Sequence, residues 1–84
     1  MAAHPVHVLT HRDRAILRAV ADGTAELVVG REPDLFLEGR CCTDQFAARR
    51  LAHAGLNAAA APAAVGQRVL ARLTAAGRRQ LAVS

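Results

Sequence analysis

The stretch "RVLARLTAAGRRQL", residues 68–81, constrains the fold more than any other part of the chain, because a two-residue alternation passes into a helical period with no loop between. Val69, Ala71 and Leu73 alternate with Arg68, Leu70 and Arg72, the pattern of a strand with one face toward a core. Thr74 then supplies a hydroxyl where a helix N-terminus needs an acceptor, and "AAGRRQLAV" continues with Leu81 as its clearest inward residue. A strand that hands over to a capped helix places that helix behind its own sheet. A mixed α+β fold is therefore expected.

The remaining elements follow from local signals. Thr10, with Asp13 three residues on, marks a capped first helix carrying Ala15, Ile16, Ala19 and Val20 on one side and ending at Gly23. "TAELVVG" and "PDLFLEG" are short apolar runs closed by glycine and read as strands, with a turn around Arg31 to Pro33; a single helical turn is an alternative for the second. Residues 43–54 form a second helix with Thr43 as its cap and Gly55 as its stop. On a helical wheel Ala47, Leu51 and Ala54 point inward, Phe46 and Arg50 flank them, and Gln45, Arg49 and Ala52 point out. Leu56, Ala58 and Ala60 alternate along one strand of a hairpin whose loop, "APAAVGQ", contains Pro62 and Gly66. The expected order is helix, strand, strand, helix, hairpin, helix: residues 1–9 as a tail or short edge strand, residues 10–84 as one domain.

Eighty-four residues bury only roughly 60 to 65% of the surface of the unfolded chain, and Phe36 and Phe46 are the only aromatics. The core must be built from Leu, Val, Ile and alanine, and burial in a homodimer would supplement it. Charge is segregated along the chain. Residues 1–39 hold four arginines against six carboxylates, whereas residues 40–84 hold seven arginines against Asp44 alone, for a net charge of +4. A basic half suits an anionic partner, most commonly nucleic acid, or a solvated face.

The series Leu51, Ala54-Gly55-Leu56, Gly66-Gln67-Arg68-Val69 and Leu73-Thr74-Ala75-Ala76-Gly77-Arg78 resembles the end of a winged-helix DNA-binding domain of the MarR and PadR type. In those families a recognition helix ends in a Leu-x-x-x-Gly-Leu pattern, a hairpin wing follows, and Leu-Thr-x-x-Gly-Arg leads into the next helix. The resemblance covers residues 43–81 and implies a double-stranded DNA partner. Helix 43–54 would lie in the major groove and the 57–73 hairpin would be the wing. It places Gln45 and Arg49 at base-reading positions, with Ala48 and Ala52 permitting close approach. Arg68 takes the wing position that meets phosphate or the minor groove, with Arg50, His53 and Arg72 beside these; Arg78 and Arg79 are further phosphate contacts. In one respect the chain differs: residues 24–39 read as strands where those families have a helix ahead of the recognition helix. A winged-helix module that binds another protein, through "PDLFLEG" or the alanine-rich sheet, is the alternative.

Other sites are weaker. His4, His7 and His11 have spacings that zinc could use, but Pro5 and the Thr10 cap break the segment. Cys41 and Cys42 are adjacent, which closes no useful loop and fits a reducing compartment. No nucleophile-base pair, carboxylate pair or phosphate-cradling glycine loop stands out, so neither enzymatic activity nor a cofactor or metal is expected. With no leader and no long apolar run, the expected location is cytoplasmic.

Overall fold

The computed structural model describes residues 9–82, so His4, His7 and nearly all of the 1–9 tail lie outside the described residues. Three helices and a five-stranded antiparallel sheet follow the order α1 (His11–Ala21), β1 (Ala25–Val28), β2 (Leu35–Leu37), β3 (Arg40–Cys41), α2 (Gln45–His53), β4 (Asn57–Ala59), β5 (Arg68–Leu73) and α3 (Ala75–Ala82). The strands lie side by side as β3-β2-β1-β5-β4. The helices cover the sheet face that bears Ala25, Leu27, Leu35, Ala71 and Leu73, all at most 5% exposed. Leu17 and Leu51, the largest of the fully buried side chains, each contribute roughly 1.5 to 3 kcal/mol by leaving water.

α1 begins as its sequence indicates. The Thr10 hydroxyl accepts from the Asp13 N–H and the Asp13 carboxylate accepts from the Thr10 N–H, both at 3.0 Å. Gly23, at φ 82°, ends the helix with its N–H on the Val20 carbonyl.

The β1-to-α2 segment holds a strand that the sequence pattern does not reveal. β2 and β3 are joined at Glu38 (φ 53°) and Gly39 (φ 81°), and positive φ at both central residues is the geometry of a two-residue hairpin whose twist suits its strands. Glutamate is an uncommon left-handed residue, so "EG" is a weak turn signal compared with "NG" or "DG". Cys41 is exposed and Cys42 is buried, both as free thiols, and among the described residues no group of three potential metal ligands exists.

Three expectations about α2 and β4 are corrected. Asp44, not Thr43, caps α2, because its carboxylate accepts the Ala47 N–H at 2.9 Å. The buried face of α2 is Ala47, Ala48 and Leu51, and Phe46 stands 79% exposed. The face is rotated because α2 packs against both α1 and β2, and the small Ala48 is what lets it approach. The inward residues of β4 are Asn57 and Ala59, opposite Leu73 and Ala71, while Ala58 pairs with outward Arg72. Gly55 (φ 76°) and Leu56 close α2 with N–H bonds to the Ala52 and Leu51 carbonyls, so Leu56 belongs to the turn and the strand phase starts one residue later.

The "LTAAGR" segment is a lock. The Thr74 hydroxyl accepts the Gly77 N–H at 3.0 Å and donates to the Gly55 carbonyl at 2.5 Å. Gly77 is buried against the Leu56 backbone, where an added Cβ would stand 1.9 Å from the Leu56 oxygen. Arg78 donates to the Leu73 carbonyl at 3.2 Å. Replacing Gly77 with alanine forces α3 off this turn, so urea unfolding of Gly77→Ala is expected to show a loss of about 1 to 3 kcal/mol. A midpoint equal to that of the wild type would contradict this packing.

Candidate nucleic-acid interface

Three of the arginines expected to face a partner, Arg49, Arg50 and Arg68, meet acids from elsewhere in the chain. Arg50 reaches back to α1, where its Nη2 lies 2.7 Å from Asp13 Oδ1; the Asp13 side chain has no exposed surface and that of Arg50 is 42% exposed. Arg12 makes the reverse contact, 3.0 Å from Asp44 at the α2 cap. Two ion pairs thus join the first turn of α1 to the N-cap and the last turn of α2.

Gln45, assigned by resemblance to a base-reading position, is turned onto the sheet. Its carboxamide accepts from the Leu35 N–H at 2.9 Å and donates to the Leu35 carbonyl at 2.8 Å and the Cys42 carbonyl at 3.0 Å. It thereby pairs with Leu35 as a strand residue would, and extends the short β3 edge by one rung. The wheel could not show this, because Leu35 is a partner from another element.

Arg49 and His53, one turn apart on α2, both meet the irregular segment 29–34 between β1 and β2. Arg49 Nη2 lies 2.5 Å from Asp34 Oδ1, which raises the pKa of the guanidinium. His53 Nε2 is 2.7 Å from the Arg31 carbonyl and 3.2 Å from Glu32 Oε2, so that nitrogen carries the proton. Phe46, expected on the flank of the inward face, is exposed and lies on the same outward side of α2 as Arg50 and His53, by the spacing of positions 46, 50 and 53.

The 60–67 loop between β4 and β5 is fastened at its base by Gly66 N–H to the Val29 carbonyl and Val29 N–H to the Gln67 carbonyl. Near its tip Val65 is 83% exposed. Arg68 follows, 2.9 Å from Glu26 and stacked 3.9 Å above the Phe36 ring. Arg72 shares its sheet face, and with Arg79 it makes no ion pair or hydrogen bond among the described residues. Ala48, expected to allow close approach to a groove, is 3% exposed and belongs to the core; Ala52 is half-buried.

No protein-family model matches the chain, and neither a curated protein nor a solved structure matches it. Among the described residues, no helix is long and apolar enough to cross a membrane.

Burial alone raises the Asp13 pKa, but the Thr10 N–H, the Arg50 guanidinium and the Thr10 hydroxyl together outweigh it and hold the carboxyl below its ordinary value. Asp44 is also lowered, first by the Ala47 N–H and then by Arg12. Carboxyls with depressed folded pKa values stabilise the fold above the unfolded value, and that stability is lost as pH falls through the folded values. Urea unfolding between about pH 6 and about pH 2 should show a loss confined to the acid side of the ordinary carboxylate range. Asp13→Asn should flatten part of that limb and cost about 2 kcal/mol near neutrality, less than for a fully buried pair because Arg50 can hydrate.

Proposed function

We propose that the protein is a small winged-helix DNA-binding regulator that grips duplex DNA with α2 and the β4–β5 wing, and holds the backbone more than it reads bases. The observation that carries this is the charge of one continuous part of the chain: from residue 45 to residue 84 there are six arginines and no carboxylate. Those residues build α2, the wing, β5 and α3. The order β1-β5-β4, with α2 leading into β4, supports a wing beside a reading helix. A β2–β3 hairpin occupies the place of the helix that MarR- and PadR-type regulators carry ahead of theirs.

Phosphate contact along β5 falls to Arg68 and Arg72, which are both exposed. Arg68 is paired only with the partly exposed Glu26, and such a pair is worth at most about 1 kcal/mol, so phosphate can replace the carboxylate. Base reading is restricted, because Gln45 is bound to Leu35 and Arg50 to Asp13, which leaves Phe46, Arg49 and His53 on the outward side of α2. A second proposal, a protein-binding winged module, has its own support: the sheet face away from the helices displays Leu70, 48% exposed, beside Phe36 and Val28.

Fluorescence anisotropy with a mixed-sequence duplex at two salt concentrations separates the two. The DNA proposal predicts affinity that falls steeply with salt, and a log–log slope flatter by about 2 in Arg68→Ala/Arg72→Ala. No binding at low salt, or a slope indifferent to the double substitution, contradicts it. One stoichiometric protein partner, lost on Leu70→Asp, would favour the second.

A further inference from the structure

Segment 29–34 lies between the two elements that would grip a duplex. On one side Val29 is hydrogen-bonded to Gly66 and Gln67 at the base of the wing. On the other, Asp34 and Glu32 hold Arg49 and His53 of α2. The Arg49 guanidinium and the His53 ring N–H, one helical turn apart and facing the same side, suit successive anionic groups, and here both are taken by the same short segment, Arg49 by Asp34 and His53 by Glu32 and the Arg31 carbonyl.

We infer that segment 29–34 is a built-in competitor for the anionic partner: Glu32 and Asp34 occupy the anion positions of Arg49 and His53, and phosphate must displace them. The inference rests on the duplex proposal for the identity of the partner, but not for the existence of the anion face. Both pairs are open to water, with side-chain exposures of 38% and 43% for Arg49 and Asp34 and of 55% and 62% for His53 and Glu32. Pairs so exposed contribute too little to hold the fold, and they exchange readily. The segment has no helix or strand of its own, and it contains Gly30 and Pro33. Its anchors to the wing are backbone bonds at Val29, which need not break when Glu32 and Asp34 swing away. In the free protein the competitor keeps α2 from clinging to any polyanion; a duplex that also engages Arg68 and Arg72 supplies enough contacts to displace it.

The test compares the wild type, Glu32→Gln/Asp34→Asn, Arg49→Ala/His53→Ala and the fourfold variant by anisotropy with the mixed-sequence duplex. The same proteins are titrated with inorganic pyrophosphate while the His53 ring signals are followed by NMR. The expected result is that Glu32→Gln/Asp34→Asn binds duplex about 5- to 10-fold more tightly at low salt, with a slope steeper by about 1 to 2. That gain should vanish in the Arg49→Ala/His53→Ala background, and pyrophosphate should shift the His53 signals of Glu32→Gln/Asp34→Asn at concentrations that leave the wild type unmoved. A gain that survives in the Arg49→Ala/His53→Ala background is a general charge effect and overturns the inference. So does an absent gain when Arg68→Ala/Arg72→Ala still weakens binding, an outcome that leaves the duplex proposal standing. If no variant binds duplex but pyrophosphate still distinguishes the two proteins, the competitor stands and the duplex proposal falls; if pyrophosphate distinguishes nothing either, both fall.

Discussion

A carboxylate with no exposed surface holds the helical layer together. Asp13 caps its own helix through Thr10 and binds Arg50 of α2, so one side chain both starts α1 and fixes where α2 crosses it. With only two phenylalanines and an alanine-rich core, the chain lacks the large side chains that usually set such a crossing by shape alone. A polar pin supplies the register that the core does not. Its position follows from the cap: Asp13 stays charged because the Thr10 N–H and the Arg50 guanidinium together outweigh the cost of burying it.

The segregation of charge along the sequence has a spatial counterpart. Arg49, Arg50, His53 and Arg68 come from the acid-free stretch 45–84, and each meets an acid from residues 13 to 34. The basic half is thus partly neutralised in the folded chain, by acids set around α2 and β5. Of these pairs only Asp13–Arg50 has a fully buried member. The others are open to solvent and can be replaced by a ligand's anions, which is why Arg50 serves the fold while Arg49, His53 and Arg68 remain candidates for contact.

Features decided within a few residues were legible in the sequence. The Thr10–Asp13 box, the Gly23 stop and the Thr74 cap all follow from local chemistry, and so does the α+β class. What was hidden depends on partners far along the chain. Gln45 looks like an outward helix residue until Leu35 is placed beside it, and the buried side of α2 shifts to Ala48 because two elements pack there. The β4 phase slipped because Leu56 is absorbed by the turn that closes α2, and period-two counting cannot detect a left-handed residue ahead of it. For the candidate site the residue types and the charge asymmetry were visible. The carboxylates that hold them, 15 to 42 residues away, were not.

The central claim is that α2 and the wing form one surface for duplex DNA. The most direct measurement is a map of backbone amide shifts by NMR as a short mixed-sequence duplex is added to the whole chain. The account predicts changes concentrated at Phe46, Arg49 and His53, along residues 29–34 and 61–67, and at Arg68 and Arg72, with the α1–α3 side unmoved. Changes confined to the sheet around Phe36, Arg68 and Leu70 that leave Phe46, Arg49, His53 and residues 29–34 unmoved, or no changes at low salt, would contradict it.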